Sequence, residues 1–412
     1  MEFTKSERLN GLKYAIRGPI YEKAHELQQE GIDIINLNIG NPAPFGFNVP
    51  DEIKHDIIIN IKGAQGYTHH LGIFPARKAV MHYCQSIGIR DVTLEDVFIG
   101  NGVSELIVMA MQALLNDEDE ILVPSPDYPL WTTAVNLASG KAVHYHCDEK
   151  NNWMPNVSDI AQKISSKTKG IVIINPNNPT GAVYDLKTLT SIKELAEKHK
   201  LILFSDEIYD KVIYDGVNHI PIASLGKDTL YITFGGLSKN YRAAGFRAGW
   251  LIISGAKKQA QSYIDGLTLL ASMRLCANAL AQYGIQTALG GYQSINELVS
   301  SNGRLCKQRD YIYNRLKLIK GVDCVYPKGA LYVFPKIDFS LFNFKDDEDF
   351  VLRLLIEKHV LVVSGTGFNY NSKCHIRIVF LADLDLLEKA MNKIEDFLNE
   401  NRNEGGGIRS VG

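Results

Sequence analysis

Between positions 168 and 249, hydrophobic residues gather in short unbroken runs that stop at glycine, proline or polar residues. Gly170-Ile-Val-Ile-Ile174, Leu201-Ile-Leu-Phe204 and Leu230-Tyr-Ile-Thr-Phe234 are rich in β-branched and aromatic side chains, which predicts strands buried on both faces. A helix over 186–198 separates the first two, and strand alternating with helix predicts a mostly parallel, doubly wound α/β sheet. Upstream, the pattern predicts a helix over 19–29, a strand from 34 into the Gly40-Asn-Pro-Ala-Pro turn, a helix over 51–62, an apolar helix over 103–115 and a strand from 121 into a Pro-rich turn. Downstream it predicts helices over 257–270, 277–290 and 296–320. Strands over 322–326, 330–335, 360–364 and 374–380 follow, with helices over 348–358 and 385–399. The expected layout is an N-terminal arm and part of a small domain over 1–50, a large domain over 51–295, a small discontinuous α/β domain completed by 296–400, and a disordered tail over 401–412.

Composition changes this picture little. The 412 residues carry a formal charge of -2, which offers no electrostatic footprint for nucleic acid or an anionic membrane. Six cysteines show no CxxC or metal-ligand spacing and read as reduced thiols; no metal site is expected. The N-terminus has no apolar signal region and no apolar run is long enough to span a bilayer, so the expectation is a soluble cytoplasmic protein. His69 and His70 are adjacent, share neither a helix face nor a strand face, and read as loop residues.

Candidate chemistry sits at the strand ends, where open α/β sheets bind ligands. Lys239 follows the strand 230–234 across Gly235-Gly236; such a lysine, once desolvated, can form a Schiff base, although a solvated charge is the commoner meaning of a lysine in a Gly-rich loop. Arg247 offers a forked cation near the same loop. Asp206 and Tyr209 follow the strand 201–204, and Asn178 follows 170–174. Gly100-Asn-Gly102-Val103-Ser104 opens the apolar helix, where unpaired amides and the positive dipole end suit a phosphate; an ordinary serine near an N-cap is the plainer alternative. Gly40 could bring a backbone amide to a carboxylate, or simply turn the chain. Arg377 lies on the far face of the strand 374–380, where a solvent-facing arginine is the default.

An acid, an amide, a phenol and an amine at neighbouring strand ends are the groups that pyridoxal phosphate requires. The order NPNNPTG at 175–181, DEIY at 206–209, SK at 238–239 and GFRAG at 245–249 resembles the fold-type I, PLP-dependent class I/II aminotransferases. The runs IRGP, LNIGNPAPFGF, GNGVSEL, PSPDYPLW, ASMRLCAN and ALGGYQSI are similar to the bacterial glutamate-pyruvate (alanine) aminotransferases. The resemblance implies pyridoxal 5'-phosphate as cofactor, with Lys239 as its Schiff-base partner and catalytic base. It implies Asp206 on the pyridine nitrogen, Asn178 and Tyr209 on the ring oxygen, and Tyr128 stacked on the ring. Val103, Ser104, Ser238 and Arg247 fall on the phosphate, with Tyr67 reaching it from the partner subunit of a homodimer. Gly40, Asn178 and Arg377 fall on the substrate α-carboxylate, and Arg17 or Arg274 on a distal carboxylate, each with a structural ion pair as the alternative.

The implied reaction is a ping-pong exchange between L-alanine and 2-oxoglutarate, giving pyruvate and L-glutamate. An aminotransferase of other preference and a carbon-sulfur β-lyase stay open. A non-catalytic PLP-binding regulator is disfavoured, because the family-like sequence begins by about residue 16. The chain departs from many relatives at Gly236, where a phosphate-binding serine is common, which puts that one contact in doubt.

Overall fold

The computed structural model describes residues 3–9 and 18–403; Arg17 and the tail residues 404–412 lie outside the described residues. Its centre is an eight-stranded sheet. In spatial order the strands are Val97–Gly100, Gly249–Gly255, Leu230–Gly236, Ile202–Asp206, Thr168–Ile174, Glu120–Ser125, Lys141–Asp148 and Met154–Pro155. The sheet is parallel except at Gly249–Gly255 and the edge strand Met154–Pro155. Alternate residues of each strand go to opposite cores. Ile171, Ile173, Leu203 and Tyr231 enter one cluster, while Val172, Ile174, Phe204 and Ile232 enter the other. Burial on both faces is why these strands read as unbroken apolar runs.

The helices Val103–Leu114, Leu130–Leu137 and Gln261–Met273 contribute buried residues to one face, and Phe74–Ser86, Leu186–His199 and Ala279–Gly290 to the other. A third core gathers the C-terminal third around Phe350, Ile376, Ile378, Leu387 and Phe397, joined by Ile35 and Leu37 from the N-terminal segment. The strand Ile35–Asn36 pairs in parallel with Val360–Leu361, which ties the arm to this unit.

The structure corrects several expected elements. The helix expected over 296–320 is two, Ile295–Val299 and Arg304–Leu318, because Ser300-Ser-Asn-Gly303 forms a turn with the Gly303 amide donating to the Ser300 carbonyl. The strands expected over 322–326 and 330–335 shrink to Val322–Asp323 and Tyr332–Val333, since Pro327, Gly329 and Pro335 punctuate them. The helix over 51–62 ends at Ile59 and continues as a 3-10 turn over Ile61–Ala64. The antiparallel strand Gly249–Gly255 was not anticipated, although its apolar run Trp250-Leu-Ile-Ile253 carried the signal.

Candidate active site

Five parallel strands, Val97–Gly100, Glu120–Ser125, Thr168–Ile174, Ile202–Asp206 and Leu230–Gly236, deliver their carboxyl ends to one cleft of about 650 Å³. From them come Val103 and Ser104, Tyr128, Asn178, Asp206 and Tyr209, and Ser238 and Lys239, with Arg247 beyond. Gly40, Tyr332 and Arg377 close the cleft from the C-terminal unit and its N-terminal partner segment.

The Lys239 Nζ donates to the Gly40 carbonyl at 2.6 Å. Burial brings its pKa down to about 8, helped by the Arg377 and Arg247 cations and opposed by Asp206. The Asp206 carboxylate is 3% exposed. It accepts from the Trp131 indole at 3.2 Å and the Ile208 amide at 3.3 Å. Burial pushes its pKa up to about 6, while Trp131, Ile208 and Lys239 favour the ionised form. An acid and an amine with their pKa values drawn toward neutrality, lining one cleft, are the groups proton transfer requires.

Arg377 is 2% exposed. Its guanidinium donates to the Asn178 side-chain carbonyl at 2.9 Å and to the Asn38 backbone carbonyl. The rings of Tyr332 and Phe368 lie 4.4 and 4.6 Å from it, and the cation lines the cleft, where it suits a carboxylate. Tyr209 is buried, and its hydroxyl lies 2.5 Å from that of Tyr332.

The opposite end of the cleft is built for an anion. The helix Val103–Leu114 starts there at Gly102, whose φ of 81° few other residues adopt. A Cβ on Gly102 would lie 2.3 Å from Arg247 Nη2, and one on Gly249 would lie 2.8 Å from the Val103 amide nitrogen. Two missing side chains therefore let the guanidinium and the neighbouring strand close onto the helix N-terminus, where unpaired amides favour negative charge.

These groups fit pyridoxal 5'-phosphate: a cationic helix-end cradle for the phosphate, a buried carboxylate for the pyridine N–H, amide and phenol donors for the ring oxygen, and a low-pKa amine for the aldehyde. At Gly236, where many relatives carry a serine, a side chain would be crowded. A Cβ there would meet the Ala248 carbonyl at 3.0 Å and the Ile208 side chain at 3.2 Å.

Two expected residues, Tyr67 and Arg274, stand apart from this cleft. Tyr67 is 82% exposed on the surface and does not line the cleft of its own chain. Arg274 pairs with Glu105 and donates to the Ile99 carbonyl at 2.6 Å, which takes up its charge structurally. Arg17 lies outside the described residues. His69 and His70 are loop residues with stacked rings. Sequence reasoning missed Tyr332 and Trp131. Tyr332 was hidden in an apolar run that read as plain strand, and Trp131 begins a helix just after the Pro-rich turn.

The family profile "Aminotransferase class I and II" matches residues 32–394. The chain is 57% identical over 395 residues to the glutamate-pyruvate aminotransferase AlaA of Escherichia coli (strain K12), covering 96% of this chain and 98% of that one. A crystal structure of an aminotransferase from Escherichia coli superposes with a TM-score of 0.96 at 56% identity, covering 98% of this chain and 100% of that one. An alanine aminotransferase from Pyrococcus furiosus superposes with a TM-score of 0.92 at 39% identity, covering 97% and 100%. Geometry and comparison agree, and this chain belongs to the class I and II aminotransferases.

Proposed function

We propose that this protein transfers the amino group of L-alanine to 2-oxoglutarate, giving pyruvate and L-glutamate. The observation that carries the reading is the pairing, in one cleft, of a low-pKa lysine with a buried arginine positioned for an α-carboxylate. The relatives named glutamate-pyruvate and alanine aminotransferase, at 57% and 51% identity, supply the substrate pair. The cofactor is pyridoxal 5'-phosphate, which when bound supplies an aldehyde for the amine and an electron-withdrawing ring.

The chain's own groups do the rest. Asp206, ionised above about pH 6, holds the pyridine proton in place; Trp131 and the Ile208 amide fix the carboxylate. When the cofactor is bound, Asn178 and Tyr209 would donate to its ring oxygen, Val103, Ser104, Ser238 and Arg247 would hold its phosphate, and the Tyr128 ring would pack against its ring. Arg377, set by Asn178 and the Asn38 carbonyl, fixes the substrate carboxylate and so the direction of the Cα–H bond. Lys239, with a substantial neutral fraction near its pKa of about 8, carries the proton to and from Cα, a step worth roughly 100- to 10,000-fold.

The division into an arm, a large domain over 51–295 and a small domain over 296–400 belongs to this reading, supported by the separate third core. So does a homodimer, supported by the outward Tyr67 and the exposed Ile58, Ile59, Ile61 and Phe74 near it in sequence. Among the described residues no helix is long and apolar enough to cross a membrane, and a cytoplasmic location is inferred with it.

The test is a half-reaction. Holoprotein mixed with L-alanine alone is expected to release one equivalent of pyruvate, retain the nitrogen, and give it up when 2-oxoglutarate is added. Continuous release of pyruvate and ammonia without an acceptor would replace the reading with a lyase. Turnover with glutamate but not alanine would keep the transaminase and discard alanine.

A further inference from the structure

Tyr332 lines the cleft and touches three of its working parts at once. Its hydroxyl lies 2.5 Å from that of Tyr209, and its ring lies under the Arg377 guanidinium at 4.4 Å. It also occupies the space that a Cβ on Gly40 would take, 2.3 Å from the hydroxyl oxygen, and the Gly40 carbonyl is the acceptor for Lys239. The Tyr209 and Tyr332 rings meet edge to face with centroids 5.8 Å apart, and both residues are buried at 2% exposure.

A phenol has one proton to donate and lone pairs to accept with. If Tyr209 gives its proton to the cofactor's ring oxygen, as the proposed function holds, its short contact with Tyr332 leaves only one polarity: Tyr332 donates and Tyr209 accepts. We infer that Tyr332 is a positioning residue, the first donor of a two-phenol relay that ends on the cofactor ring oxygen. Hydrogen bonds in series polarise one another, so donation from Tyr332 makes the Tyr209 proton a stronger donor. A stronger donor stabilises the ionised ring oxygen. The ring of Tyr332, separately, backs Arg377. One side chain thus serves both cofactor electronics and substrate carboxylate, by different atoms.

The two roles separate by substitution in the holoenzyme. Tyr332→Phe removes the hydroxyl and keeps the ring. The readout is the pH titration of the bound cofactor's visible absorbance without substrate. Its midpoint is expected to move upward by about one pH unit, a tenfold change in ionisation constant, with KM for the amino acid changed less than threefold. In a Tyr209→Phe background the same substitution is expected to add no further shift, because its effect passes through Tyr209. Tyr332→Leu, which removes the ring as well, is expected to raise KM about tenfold or more. An unchanged midpoint in Tyr332→Phe, or an equal shift with and without Tyr209, overturns the relay. The titration uses no substrate, so a wrong amino-acid assignment leaves it readable; a wild-type protein with no visible band would overturn both readings.

Discussion

Asp206 sits where burial works against the charge that the chemistry needs. Its pKa is raised from 3.8 to about 6, so in the cofactor-free chain the neutral carboxyl persists up to about pH 6. A carboxyl whose folded pKa lies above its unfolded one contributes stability that is fully present below about pH 4 and is lost as pH rises through about 6. At neutral pH the ionised form then costs the fold about 3 kcal/mol, an upper bound set by the size of the shift. Asp206→Asn keeps the shape and a carbonyl oxygen for Trp131. Without cofactor, this variant is expected to be more stable than the wild type near neutral pH by up to about 3 kcal/mol in urea unfolding, a gain that vanishes below about pH 4. The same substitution removes the partner of the pyridine proton, so transamination is expected to fall by at least a hundredfold, as for other preorganised electrostatic contacts. A gain independent of pH would mean that the carboxylate is not strained by burial. The site holds a charge that the fold alone disfavours, a trade between stability and activity.

The helix Val103–Leu114 shows how an element makes a binding site through what it lacks. Gly102→Ala places a Cβ against Arg247 at a backbone conformation tolerated mainly by glycine, worth about 1–3 kcal/mol. Cofactor affinity is expected to weaken about tenfold or more, measured by titrating the cofactor-free protein with pyridoxal phosphate. In an Arg247→Ala background the same substitution is expected to cost measurably less, because only the backbone strain remains; an equal cost in both would show that the guanidinium is not what the glycine accommodates. Elements also explain what was legible in the sequence. The buried strands Thr168–Ile174, Ile202–Asp206 and Leu230–Gly236 were readable because burial on both faces leaves no polar interruption, and the strand-end residues Asn178, Asp206 and Lys239 were readable because the chain changes composition there. Tyr332 was not, because its strand is two residues long and its hydroxyl acts on residues far off in sequence. The split of the long helix at Gly303 was missed because helical spacing resumes on both sides of the turn.

At the scale of the whole molecule, several of the exposed apolar residues lie close together in sequence. Ile58, Ile59, Ile61, Tyr67 and Phe74 follow one another in sequence from the end of the helix Asp51–Ile59, whose inner residues Ile53 and Ile57 lie against Gly284 of the helix Ala279–Gly290. Leu269, Met273, Leu275 and Tyr292 are exposed as well. Large apolar side chains left outward together mark an association surface, and a second copy of the chain is the partner that the proposed site calls for, since its phosphate cradle would gain a hydroxyl from the partner subunit's Tyr67. Placing like charges in that surface tests both ideas. Ile58→Glu with Ile61→Glu is expected to sediment as a single chain of 45.9 kDa, and the wild type is expected to sediment as twice that mass. Circular dichroism is expected to stay unchanged, because both side chains are already exposed and neither belongs to a core. Cofactor affinity is then expected to fall roughly tenfold, the worth of one hydrogen bond to a charged group. Tyr67→Phe should reproduce that loss in a protein that remains dimeric. A double variant that dissociates yet binds cofactor as tightly as the wild type would confine each site to its own chain and leave Tyr67 with no part in it.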